Sequence, residues 1–125
     1  GELIDDDEAS HRGKMYDQQG CSYLYDMDAH VDRGEEDNNY RKMYVLDAAK
    51  HGNVSRFINH SCDPNLAVYA VLYDTMDVNL PHIGLYAIRD IRKGEELTYD
   101  YKYELLEGKG MKCHCQAANC RGRLY

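Results

Sequence analysis

Three thiols near the end of the chain, Cys113, Cys115 and Cys120, are spaced for a metal rather than for disulfides. The chain carries five cysteines, an odd count, and three of them fall within this one short tail segment. That is poor arithmetic for paired bridges and good arithmetic for zinc. A structural zinc takes four ligands in a tetrahedron. Candidates for the fourth are Cys62, Cys21 and the histidines His60 and His114. Cys62 is preferred, because it ends the stretch Asn59-His60-Ser61-Cys62, which stands out on other grounds. Such a chelate would clamp the tail onto the middle of the chain, and closure entropy grows only slowly with loop length. Cys21 has no partner spacing and reads as a small core hydrophobe. Metal-type thiols imply a reducing compartment, cytosol or nucleus.

The elements that must position these groups are short. Asp5-Asp6-Asp7-Glu8 reads as a helix start, with an Asp cap and acids in the first turn; Gly13 is expected to end or weaken that helix. Gly1 to Ile4 reads as the end of a strand already in progress, which suggests a piece of a longer chain. Strands are expected at Cys21–Asp28, Met43–Asp47, Leu66–Tyr73, Ile83–Ile88 and Leu97–Tyr101. Ile83–Ile88 is the most hydrophobic of them and is expected to be central. Asn53–Asn59 reads as a helical turn, Asp63-Pro64-Asn65 and Arg92–Glu96 as turns, and Arg33–Asn39 as a solvated acidic loop. From Glu104 the tail has little core of its own and needs a metal to order it. The pattern is mostly β, α+β.

At 125 residues the chain is one domain at most. A net charge of −7 argues against direct sequence-specific nucleic-acid binding. It suits a basic peptide, although it also serves solubility alone. No apolar run approaches the ~20 residues of a membrane span.

Taken together, Asn59-His60-Ser61-Cys62, Glu95-Glu96-Leu97-Thr98-Tyr99-Asp100-Tyr101 and the Cys-x-Cys-x4-Cys tail resemble a SET domain with its post-SET zinc segment. Tyr16–Gly20, Ser22–Asp28, Cys62–Tyr69 and Asp77–Pro81 resemble the suppressor-of-variegation branch, whose members methylate lysine 9 of histone H3. The resemblance implies a SET fold of short β-sheets with a knot-like C-terminal threading. It also implies a division at residues 1–103 (SET, lacking its N-terminal strands) and 104–125 (post-SET).

By the same resemblance the cofactors are S-adenosylmethionine and Zn2+, the partner is the histone H3 tail, and the place is chromatin in the nucleus. Tyr101 is the expected catalytic residue, orienting the amine; a phenol of pKa ~10 suits positioning better than base catalysis. Tyr23 is expected to line the lysine channel. Tyr99, where trimethylating relatives carry Phe, implies mono- or dimethylation. Asn59, His60, Arg56 and Phe57 are the expected cofactor contacts, with Tyr101. Cys62, Cys113, Cys115 and Cys120 are the expected zinc ligands. Asp26, Asp28 and Glu35–Asp37 could steer a basic tail. Relatives carry Gly where this chain has Gln116, so a turn there is expected to be strained. A zinc-stabilised fragment or peptide-binding module without turnover is the competing expectation.

Overall fold

The computed structural model describes residues 1–27, 44–75, 77, 79–103, 105 and 110–125. Asp28, the acidic loop with Glu35–Asp37, and Met43 lie outside the described residues. The chain forms two compact units, 1–57 with 70–82, and 58–69 with 83–125.

In the first unit, strand β1 (Glu2–Asp5) runs directly into helix α1 (Asp6–Gln19). Asp5 caps the helix by accepting the Glu8 N–H at 3.0 Å, and Asp6, Asp7 and Glu8 fill the first turn. The helix does not end at Gly13. It continues for another turn and a half to Gly20, whose φ of 73° lets Gly20 and Cys21 donate to the Asp17 and Tyr16 carbonyls. Gly13 is tolerated inside because the helix face around it packs near Leu24. Cys21, just past that cap, is exposed and not a core residue, because the strand that follows is shorter than expected: β2 spans Leu24–Asp26. Strand β3 (Tyr44–Asp47) lies between β1 and β2, antiparallel to both. Ile4, Ala9 and Val45 form the apolar core, with Leu24 packed against it.

This register sets Glu2 directly opposite Asp47, a like-charge pair that would repel. Arg12 resolves it, donating to Glu2 at 2.7 Å and to Asp47 at 2.8 Å, and to Glu8 at 2.7 Å. Asp47 also accepts from the Tyr16 hydroxyl and the Ala49 N–H, each at 2.8 Å. Burial works to raise the Asp47 carboxyl, but Arg12, Ala49 and Tyr16 outweigh it and hold it below the ordinary carboxylate range.

After a 3-10 turn at Val54–Phe57, strand β4 (Asn59–His60) opens the second unit. Strands β5 (Leu66–Val71), β6 (His82–Ala87) and β7 (Thr98–Tyr99) complete a four-stranded sheet in the order β4-β7-β5-β6. The expected central strand, β6, is therefore an edge strand with Tyr86 exposed. The interior places go to β5 and to two-residue β7, which runs parallel to β4 on one side and β5 on the other. Tyr99 is the register partner of both His60 and Leu66. The 59–71 segment thus changes sides over β7 at Ser61–Asn65. Hydrophobicity alone misplaced β6, because the strand that needs partners on both edges here is held by backbone pairing, not by apolar burial. No helix among the described residues is long and apolar enough to cross a membrane.

Candidate active site and thiol cluster

Asn65, only 1% exposed, locks β7 in place. Its Nδ2 donates to the Glu96 carbonyl at 2.8 Å and to Glu95 Oε1 at 3.1 Å, and its Oδ1 accepts the Thr98 N–H at 2.9 Å. The Arg92–Glu95 turn feeds this strand, with Gly94 at φ 84° and the Glu95 N–H on the Arg92 carbonyl at 3.0 Å. The sequence reading placed Asn65 only in a turn and missed this role. Its signal was position: an amide between a Pro turn and a strand is well suited to replace missing backbone partners.

Immediately after β7, Tyr101 is fastened at both ends. Its N–H donates to His60 Nδ1 at 3.2 Å, and its phenol donates to the Ile58 carbonyl at 2.8 Å. The His60 and Tyr101 rings meet edge to face at 5.3 Å. Because Nδ1 accepts, the His60 proton sits on Nε2, which faces Cys62 Sγ at 3.4 Å. Burial lowers the pKa of this imidazole, with Asp100 at 3.6 Å opposing, so it is a neutral structural bridge rather than a base.

Tyr99 and Tyr101 lie 4.8 Å apart, and Tyr103 and Tyr125 extend the row edge to face at 5.6 Å each. Burial, helped by Tyr103, pushes the Tyr101 phenol up to about 12. Burial, with Tyr101 and Tyr103, raises Tyr99 further. Both are proton-bearing groups at neutral pH. Asn59 is exposed, and its Nδ2 donates to Glu96 Oε1 at 2.7 Å.

The four sulfurs of Cys62, Cys113, Cys115 and Cys120 lie within 4.8 Å of one another, with Cys62 and Cys113 at 3.9 Å. A zinc tetrahedron with Zn–S near 2.3 Å requires S–S separations of about 3.8 Å, so the donor set and its spacing fit zinc. Neither Cys21 nor a histidine joins the group among the described residues. Amides point at the sulfurs: Cys62 N–H at Cys115, Arg121 N–H at Cys62, and Gly122 N–H at Cys120, all at 3.4–3.5 Å. The Cys62 and Ala117 amides hold the Cys115 thiol below its ordinary value. The tail closes on itself through the Leu124 N–H on the Met111 carbonyl at 2.8 Å and the Cys113 N–H on the Gly122 carbonyl at 3.1 Å. Gln116 has φ 57°, a left-handed conformation that a residue with a Cβ adopts reluctantly.

In the first unit, Tyr23, Arg56 and Phe57 form a separate cluster. The Arg56 guanidinium lies 4.2 Å from the Tyr23 ring centroid and 5.2 Å from that of Phe57, and the two rings meet edge to face. Arg56 Nε is buried without a partner among the described residues, and Phe57 is 66% exposed.

A family model described as SET domain matches residues 1–102. The chain belongs to the SET-domain family. It is 42% identical over 141 residues to the histone-lysine N-methyltransferase SUV39H2 of Xenopus tropicalis, covering 99% of this chain and 32% of that protein. A solved structure of Arabidopsis thaliana SUVH6 in complex with SAM superposes with a TM-score of 0.76 at 36% identity, covering 100% of this chain and 27% of that one. KRYPTONITE, solved with mCHH DNA, an H3(1-15) peptide and SAH, superposes with a TM-score of 0.74 at 33% identity, covering 98% and 23%. The chain spans between about a tenth and about a third of the length of the curated relatives it matches.

Proposed function

We propose that this chain is the catalytic segment of a protein-lysine N-methyltransferase. It moves methyl from S-adenosylmethionine to a lysine of the histone H3 tail, with lysine 9 the favoured position and one or two methyls the favoured product. Nucleus and chromatin follow from that substrate. Residues 1–103 are the SET portion and 104–125 the post-SET tail. The relatives' names and the SAM, SAH and H3-peptide complexes of the neighbours support this reading. The observation that carries it is the Tyr101 phenol, fastened to Ile58 beside the turn that bears Asn59, His60 and Cys62.

When bound, the cofactor supplies an electrophilic methyl group on a sulfonium. The chain's task is to align and desolvate the incoming amine. A lysine of pKa ~10.4 is neutral in only about one molecule in a few thousand at pH 7, and burial favours the neutral form. Tyr101 donates its hydroxyl hydrogen bond to the Ile58 carbonyl, so its oxygen lone pairs are left to accept from the amine N–H and aim the nitrogen lone pair. Tyr99 keeps its hydroxyl proton and can hold a water in the space a third methyl needs. Asn59 has Oδ1 left to accept from the methionine ammonium, His60 offers its backbone, and Arg56 Nε is an orphan donor suited to a polar cofactor group. Within the first unit, Tyr23 is the residue proposed to line the lysine channel, and Phe57, against the same guanidinium, is proposed with Arg56 as a cofactor contact. Cys62, Cys113, Cys115 and Cys120 would hold zinc, and the metal would cross-link the tail to the 59–62 turn. Asp26, exposed on β2, offers charge to a basic peptide.

The test is mass analysis of an H3 tail peptide after incubation with S-adenosylmethionine and the zinc-loaded protein. Mono- and dimethyl lysine 9 are expected, and Tyr99→Phe should extend the product to trimethyl. A dominant trimethyl product from the parent chain would remove the product assignment, and no transfer from the full-length protein would remove the function.

A further inference from the structure

Two side-chain tethers run from the thiol cluster to the backbone that presents Tyr101; what they mean for turnover rests on the functional reading above. The first is Cys62 Sγ to His60 Nε2, 3.4 Å, and His60 Nδ1 to the Tyr101 N–H, 3.2 Å. The second begins at Cys120. The next residue, Arg121, gives its backbone N–H to Cys62 Sγ at 3.5 Å and its guanidinium to Asp100 Oδ1 at 2.8 Å. The same nitrogen, NH2, lies 3.4 Å from His60 Nε2. Asp100 Oδ1 also accepts the Lys102 N–H at 2.9 Å. Lys102 has φ 55°, a conformation that a residue with a Cβ adopts reluctantly and keeps where its surroundings over-determine it. Asp100 and Lys102 flank Tyr101 on either side.

We propose that Arg121 is a positioning residue for methyl transfer. Its backbone is anchored at the thiol cluster. Its guanidinium fixes Asp100, Asp100 fixes the left-handed turn at Lys102, and the turn fixes the direction in which Tyr101 leaves β7. The charge pair joins the end of one motif to the end of another: Arg121 follows the last tail cysteine, and Asp100 precedes the tyrosine. Through this connection the tail sets where the phenol stands. Replacing the Arg121 side chain leaves its N–H to Cys62 intact, so metal retention and Tyr101 placement can be separated.

The experiment compares zinc-loaded parent, Arg121→Ala, Arg121→Lys and Asp100→Asn. Zinc content, amide exchange at Tyr101 and Lys102, and peptide-methylation kinetics are measured on each. Arg121→Ala should keep its zinc, exchange these two amides about tenfold faster, and lose about tenfold in kcat with the cofactor KM unchanged. Arg121→Lys should recover part of both losses, because it restores the charge without the fork. Arg121→Ala combined with Asp100→Asn should be no worse than the more damaging single change, because both cut one connection. Parent-like exchange in Arg121→Ala, zinc loss in parallel with its exchange change, or additive effects in the double variant would each overturn the proposal. The exchange readings need no turnover. A parent protein that transfers no methyl would sink the functional reading, while exchange would still decide whether Arg121 holds Tyr101.

Discussion

The two units are held together by different physics. In the first, Ile4, Ala9 and Val45 make a small apolar core, and the buried Asp47 gathers Arg12, Tyr16 and Ala49 around one carboxylate. In the second, Leu66 is the one buried aliphatic side chain among the described residues, beside buried Asn65, Ser61 and Cys113, and directional bonds supply much of the cohesion. There Asn65 replaces strand partners, His60 replaces a carbonyl, and four sulfurs converge without a disulfide. Apolar contact is forgiving of small displacements, whereas hydrogen bonds and metal–ligand bonds are not. On the proposed function this segment has to hold a phenol to a fraction of an ångström, and bonds of the second kind suit that task. Its cost is dependence on the metal, since the tail has too little apolar surface to fold on its own.

This contrast is broken most forcefully by removing the cross-link. Cys113→Ser, or chelation of zinc, should abolish amide protection across 110–125 and at Tyr101, while Ile4 and Val45, paired across β1 and β3, stay protected. Uniform loss in both units would show that they do not differ in the way described. The reciprocal change is Asp47→Ala, which leaves the Tyr16 hydroxyl and the Ala49 N–H without their acceptor while Arg12 keeps Glu2 and Glu8, and it should cost the first unit about 1–3 kcal/mol. Denaturant melts followed at residues of each unit would show whether the damage stays there.

Solution pH sharpens the comparison. Tyr101 is raised to about 12 from an ordinary value of 10.0, so its contribution is complete below pH 10 and is lost as pH rises toward 12. Asp47 is lowered, so its contribution is present above an unfolded value of ~4 and is lost as pH falls below it. Absorbance at the phenolate band should therefore show Tyr101 losing its proton only as pH climbs past 10 toward 12, and the first unit should weaken on the acid side. The smallest effects are backbone ones. Gln116→Gly relieves a left-handed side chain and should slow zinc release, a gain of about 0.5–1 kcal/mol. Gly13→Ala, with room against Leu24 at 3.6 Å, should add a similar amount to the first unit and leave zinc release unchanged.

What the chain discloses before folding follows the same division. The Asp5 cap, the Gly94 turn, the 3-10 turn and the short strands are local, and local chemistry writes them plainly. Cys62 lies in one group of sulfurs with Cys113, Cys115 and Cys120, at a turn that the Asn59–Cys62 stretch marks in the sequence. Gly13, β6 and Cys21 were misread because tertiary context decides them. A glycine faces Leu24, an apolar strand takes an edge, and a cysteine falls just beyond a helix cap. Asp47, Asn65 and the Arg121–Asp100 pair were not legible. Each joins residues at least 21 positions apart through side chains that look like ordinary surface polar groups in the sequence.

The central claim is that a protonated phenol, pinned to the 58–62 turn, aims the amine. Tyr101→Phe in the zinc-loaded full-length protein tests it most directly, with S-adenosylmethionine affinity and H3-peptide methylation measured on the same sample. Unchanged cofactor affinity with transfer reduced by about 10²-fold or more is predicted. Parent-level transfer by the phenylalanine variant would contradict the account.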